Sequence, residues 1–121
     1  MATIELKKDE LVVHMRGWDV ILALRSTLTV ALKDIKEVVA DAEAIAKDVD
    51  AKLAGGHWPG KFTAGWFMTP DGIAFFDVHD PKKTICIYVE HHRYQKIVVE
   101  IDDETPEQCK ERIQQALASY R

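Results

Sequence analysis

Residues 62–103 read FTAGWFMTPDGIAFFDVHDPKKTICIYVEHHRYQKIVVEIDD. Most of this run alternates apolar with polar residues, the pattern of half-buried β-strands, and β-branched residues dominate its later part. The strand patterns cover four stretches: Phe62–Met68, Ile73–Val78, Ile85–Val89 and Ile97–Ile101. The tetrapeptide Thr69-Pro70-Asp71-Gly72 suits a tight turn between the first two. Because short turns pair neighbouring strands antiparallel, we expect an antiparallel meander.

A helix with a clear start signal follows these strands. Thr105 can cap it, Pro106 fits the first helical position, and Gln108 can complete a capping box, so we predict a helix over about residues 106–119. Its apolar residues fall on one stripe at helical spacing: Cys109, Ile113, Ala116, Leu117 and Tyr120. A one-faced helix behind a meander is expected to cap an open end of the sheet.

The part of the chain before residue 62 mixes both periodicities. Residues 3–7 and 11–16 alternate as an N-terminal hairpin, and residues 27–32 alternate as a third strand. Helical spacing then predicts a helix over at least Asp41–Leu53, ended by glycines. Residues 35–40 fit either a strand or the beginning of that helix.

Composition limits the function classes. A chain of 121 residues predicts a single domain over residues 1–121, and its formal net charge of −4 argues against nucleic-acid binding and against strong binding to anionic membranes. The two cysteines, Cys86 and Cys109, lack metal-site spacing. With no signal peptide recognised, we expect reduced thiols and a cytoplasmic location.

No motif in the chain predicts a catalytic residue, a cofactor or a metal. Residues 55–61 have the glycine and lysine spacing of a phosphate-binding loop, but the predicted order is helix then strand, the reverse of what such a loop requires. The five histidines have no convergent ligand spacing. We therefore expect a protein that is not an enzyme, and an enzyme that uses an open pocket is kept as a third hypothesis.

The candidate contact residues lie in and around the predicted inserted helix. Trp58 follows the glycines of a predicted loop, which makes it the aromatic residue best placed to contact a partner, with His57 beside it. Ile45, Val49 and Leu53 form an apolar helix face that needs a covering surface. We also expect the strand Ile97–Ile101 to be an edge with few guards, so that the chain self-associates, most simply as a two-fold dimer.

The order of elements and several local residues resemble bacterial pleckstrin-homology-like (PH-like) domain proteins. The resemblance lies in three groups of residues: Gly17-Trp18 with Leu24-Arg25, Leu28–Leu32, Ile35 and Val38; His57–Gly60 with Gly65; and Gly72 with Phe75 and Asp77. It implies an α+β fold, in which two near-orthogonal sheets form a partly open antiparallel β-barrel. It also implies a strand near Ile35–Val39, an inserted helix after it, and a C-terminal capping helix.

The resemblance implies no activity. The first hypothesis is a non-enzymatic interaction module that binds protein partners or itself. The alternative is a binder of a small apolar ligand or lipid in the barrel mouth, which depends on whether the barrel holds an open pocket or a filled interior.

Overall fold

The protein is described by a computed structural model over residues 2–15, 27–40, 63–69, 72–78 and 81–120. Its elements in chain order are β1 (Ala2–Leu6), β2 (Glu10–Met15), β3 (Thr27–Ala31), β4 (Ile35–Val39), β5 (Thr63–Thr69), β6 (Gly72–Val78), β7 (Thr84–Val89), β8 (Lys96–Glu100) and the C-terminal helix α1 (Pro106–Tyr120). Short 3₁₀ segments span Leu32–Asp34 and Pro81–Lys83. The fold is therefore α+β, as predicted.

The first sheet has the order β1-β2-β3, and both of its strand pairs are antiparallel. A tight turn closes the N-terminal hairpin, with the Lys7 amide donating to the Glu10 carbonyl at 2.8 Å. The alternation along β2 and β3 places Leu11, Val13 and Val30 inside, all with no exposed area. The predicted N-terminal hairpin and third strand are confirmed.

The second sheet has the order β4-β7-β8-β6-β5, which differs from the predicted meander. The β5–β6 hairpin is antiparallel as expected, with Thr69 opposite Gly72. However, β6 pairs with β8, and it does so in parallel. The prediction that all neighbouring strands pair antiparallel is wrong, because the β7–β8 hairpin inserts its second strand between β6 and β7.

Strand β8 is an interior strand of this sheet, so the prediction of an exposed edge at Ile97–Ile101 is wrong. All five residues of β8 are buried. Ile97 and Val99 belong to the main core, whereas Val98 points to the opposite face and packs with Phe76 and Cys86 in a second apolar cluster. A strand that is apolar on both faces is stabilised by neighbours on both edges and layers on both sides.

Residues 35–39 form a strand, which decides between the two alternatives left by the sequence. A bulge in the β4–β7 pairing lies between Ile35 and Glu37. The extra residue brings Ile35 and Val38 to the same buried face although they are three positions apart. Helical spacing in the sequence is therefore produced here by a bulged strand.

Helix α1 begins with the predicted capping box. The Thr105 hydroxyl accepts from the Gln108 amide at 3.1 Å, and the Gln108 side chain accepts from the Thr105 amide at 3.0 Å. Its buried stripe consists of Cys109, Ile113 and Leu117, which join a core cluster shared by both sheets. The capping helix is confirmed as a helix that covers this core.

Buried side chains from both sheets pack together in one core cluster. The main cluster contains residues from β1–β4, from β6–β8 and from α1. Its largest members have almost no exposed area: Phe75, Leu11, Leu32, Ile35, Ile85, Ile87, Ile97, Ile101 and Ile113. A bridge between Ala2 and Ile101 links the sheets. In the described part of the chain, strand pairing does not close the two sheets into a barrel.

The predicted inserted helix, Asp41–Leu53, lies outside the described residues. Among the helical segments that are described, none combines the length and the apolar character needed to cross a membrane.

Candidate functional site

The two edge strands of the five-stranded sheet differ in their chemistry. Strand β4 carries the exposed charges Lys36 and Glu37 and a bulge, which are common guards against edge-to-edge pairing. Strand β5 reads TAGWFMT, with neither a charge nor a proline, and its seven residues pair with β6 without a break in register. Among the described strands, β5 pairs with β6 alone. As far as the described residues go, β5 is therefore the unguarded edge of this sheet.

The hydrogen bonds of Ile73 show which main-chain groups of β5 face outward. The Ile73 amide donates to Oε1 of Gln95 at 2.7 Å, and the Ile73 carbonyl accepts from the Gln95 amide at 2.9 Å. Both groups thus point away from β5, which makes Ile73 and its opposite residue Met68 a non-hydrogen-bonded pair. Met68 then directs its own amide and carbonyl away from β6, and alternation gives Ala64 and Trp66 the same direction.

Met68 adds an apolar side chain at this edge. It is 70% exposed, the largest value among the exposed large hydrophobic residues described. An exposed methionine is a soft, adaptable contact surface, and it lies one residue before the β5–β6 turn. Within the described residues, the edge therefore offers both main-chain groups that pair with no other strand and apolar surface.

Gln95 holds the strand next to this edge in place. Besides its two hydrogen bonds to Ile73, Gln95 donates from Nε2 to the His92 carbonyl at 2.8 Å. The Gln95 carbonyl accepts from the Val89 amide at 2.9 Å. In the same turn, His91 has a φ of 55°, a left-handed conformation that is uncommon for residues other than glycine. One glutamine thus connects β6, β7 and the turn that precedes β8.

A surface cleft of about 450 Å³ lies near this turn. Its lining residues are Lys36, Ile73, Tyr88, Val89, Glu90, His91, Gln95 and Lys96. Lys96 Nζ lies 5.2 Å from the centre of the Tyr88 ring, a cation–π distance, and burial lowers the pKa of Lys96 to about 8. Burial also raises the pKa of Tyr88 to about 12.

Both cysteines are free and buried. Burial raises the pKa of Cys86 and of Cys109 to about 12. A thiol with such a pKa is almost entirely protonated at neutral pH and is a poor nucleophile. Cys86 packs in the second apolar cluster and Cys109 in the main core.

The predicted contact residues Trp58, His57, Ile45, Val49 and Leu53 lie outside the described residues. The acidic run Asp102–Glu104 precedes α1, where the helix dipole favours negative charge. In the described ranges, no group of three or more histidine, cysteine, aspartate or glutamate side chains is placed to hold a metal ion. The edge of β5 was missed because its neighbours in space were unknown, although its lack of charge was visible.

Comparisons with protein-family models, with curated proteins and with solved structures found no match for this chain.

Proposed function

We propose that this chain is a non-enzymatic interaction module that receives an extended segment, from a protein partner or from a second copy, along the open edge of β5. The observation that carries the proposal is the outward direction of the Met68 main-chain groups, on a strand without charge, proline or bulge. Strand addition to such an edge gives affinity through main-chain hydrogen bonds.

A PH-like architecture belongs to the same proposal. It is supported by two sheets that share one core and by a C-terminal helix that covers it. The parallel β6–β8 pair departs from the antiparallel meander implied by the resemblance. The proposed likeness therefore concerns the two-sheet core and its helix rather than every strand pairing.

The state of the two thiols supports a module that binds protein rather than one that catalyses a reaction. Cys86 and Cys109 are buried and protonated at neutral pH, so neither is poised as a nucleophile. Free, buried cysteines also support the proposed cytoplasmic location.

The charges at the β1–β2 turn support the expectation of no strong membrane binding. Lys7 lies 4.0 Å from the Glu10 carboxylate, so part of the positive charge of this turn is compensated. The β1–β2 turn therefore has no basic cluster comparable to those that bind anionic lipids or nucleic acid, and the net charge of the chain is −4.

A second candidate function is the binding of a small ligand, which the 450 Å³ cleft favours. Its volume lies within the range of about 300–1,000 Å³ that is common for ligand sites. The cleft lies at the β7–β8 turn rather than between the two sheets, whose facing residues share one core cluster. A thermal-shift screen with lipids and metabolites tests it, and Tyr88→Ala should abolish any shift that arises in this cleft.

Peptide selection tests the first proposal. A phage-displayed library of linear peptides is panned against the protein, and enriched peptides are measured by fluorescence anisotropy. We expect them to bind the wild type and Met68→Ala alike, and to bind Met68→Pro at least about tenfold more weakly, because proline removes the outward amide and obstructs the edge. Equal binding to Met68→Pro, or no enriched peptide for a chain that is also monomeric, would contradict the proposal.

A further inference from the structure

We propose that the segment bound at β5 is β5 of a second copy, paired antiparallel about a two-fold axis at Trp66, an inference that rests on the function proposed above. Such pairing joins the two five-stranded sheets into one continuous sheet. The contact is isologous, which is the commonest way for identical chains to associate.

The charge pattern of the two edges favours self-pairing through β5. In two-fold antiparallel pairing, the residue at the axis lies opposite the same residue of the second copy. The residue before it lies opposite the residue after it in the second copy. On β4, an axis at Lys36 or Glu37 would place like charges opposite each other, which is destabilising. Strand β5 has no charged residue, so no axis along it creates this repulsion.

The outward main-chain groups select the register. They belong to Ala64, Trp66 and Met68, which are symmetric about Trp66. With the axis at Trp66, each residue of this set faces another member: Trp66 opposite its copy, and Ala64 opposite Met68 of the second copy. With the axis at Gly65, Met68 would have none of these three residues opposite it in the second copy. With the axis at Phe67, the same would hold for Ala64.

Opposite residues in a sheet share a face, so this register also brings the exposed Met68 side chain beside the second copy's Ala64. At these two positions a small residue lies opposite a large flexible one. The pairing therefore covers part of the 70% exposed methionine while completing the main-chain hydrogen bonds of both edges.

Light scattering on the full chain at micromolar concentration tests the association. We expect a species of twice the 13.7 kDa chain mass. Met68→Pro and Ala64→Pro should each weaken the dimer by about a hundredfold, since each removes outward hydrogen bonds and obstructs the pairing, whereas Met68→Ala should leave it dimeric.

Gly65→Pro is the matched control for fold. The Gly65 amide faces β6, so this change should destabilise the β5–β6 hairpin, while Ala64→Pro at the adjacent position should keep the circular dichroism spectrum of the wild type. If both outward proline variants unfolded, the assigned direction of these amides would be wrong and the inference overturned.

Cysteine cross-linking tests the register. The double variant Ala64→Cys/Met68→Cys should form an intermolecular disulfide under mild oxidation, because the cysteine at position 64 lies opposite the cysteine at position 68 of the second copy. Neither single variant should form this disulfide. Three outcomes would overturn the inference. They are a wild-type chain that stays monomeric, a dimer that Met68→Pro does not weaken, and cross-linking by the single variants alone. If the chain is monomeric but selected peptides still require the β5 edge, the proposed function survives and only the second copy is excluded.

Discussion

The Gln95 side chain occupies the space in which a side chain of residue 72 would lie. A Cβ added to Gly72 would be 2.2 Å from Gln95 Oε1, the atom that accepts the Ile73 amide. Gly72 also has a φ of +126°, a conformation that residues with a side chain rarely adopt. The backbone conformation requires glycine at the start of β6, and any larger residue would also have to displace the end of the Gln95 side chain.

Gly72→Ala should therefore lower the free energy of unfolding by about 2–4 kcal/mol, through backbone strain and displacement of Gln95. Chemical denaturation measures the change. Gln95→Ala removes the steric conflict, so the double variant should lose less than the sum of the two single variants. Strict additivity would show that the two residues do not compete for this space.

Two residues of α1 should differ in their contribution to stability. Ile113 is fully buried and Leu117 is 8% exposed, and both pack in the cluster that contains Ile85 and Val99. Ile113→Ala should cost about 2–5 kcal/mol, and Leu117→Ala somewhat less. The exposed Ser119→Ala in the same helix is the control, expected within about 0.5 kcal/mol of wild type by thermal or urea unfolding. A neutral Ile113→Ala would contradict the role of α1 in covering the core.

The sequence predicted those elements whose signals are local. The start of α1 was predicted because Thr105 and Gln108 bond to each other's amides within one helical turn. The β5–β6 hairpin was predicted because its turn residues are adjacent in the chain. These interactions depend on neighbouring residues and hardly on the rest of the fold.

The sequence did not predict the elements that depend on distant contacts. The parallel β6–β8 pair brings Phe76 beside Val98, and no alternation within either strand identifies that partner. In β4, a bulge gave Ile35 and Val38 a helical spacing. The candidate site at β5 depends on the same missing information, because a strand becomes an edge only once the sheet order is known.

The ion pair between Arg112 and Glu104 should make stability depend on pH. Arg112 Nε donates to Glu104 Oε1 at 2.9 Å, its Nη2 donates to Oε2, and Nη2 also donates to the Ile4 carbonyl at 2.9 Å. The hydrogen bonds from Arg112 hold the pKa of Glu104 below its ordinary value of 4.5. Because the folded-state pKa is the lower one, this stabilisation is present above pH 4.5 and is lost as the pH falls through it.

Glu104→Gln should thus cost about 1 kcal/mol at pH 7, a modest value because the Arg112 side chain is 41% exposed. Urea unfolding of both proteins from pH 7 to pH 3 measures the difference, which should shrink below about pH 4.5. A difference that stays constant over this range would show that the charge of Glu104 is not the source of the stabilisation.

Lys96 should produce the opposite behaviour in alkaline solution. The residue is only 5% exposed, and burial lowers its pKa to about 8 from an ordinary 10.5. Between pH 8 and pH 10.5 the unfolded chain holds a proton that the folded chain has released. The free energy of unfolding therefore increases as the pH rises through this range. Below pH 8 the folded protein carries the cost of a buried charge.

Lys96→Met keeps the length of the side chain and removes this cost, so at pH 7 the variant should be more stable by on the order of 2 kcal/mol. Its advantage should narrow as the pH rises from 8 towards 10. Urea unfolding at each pH gives the difference directly, and the contribution of Tyr88, whose pKa is raised to about 12, is common to both proteins. A variant that is less stable than wild type at pH 7, with a gap independent of pH, would show that the folded protein stabilises the ammonium group of Lys96.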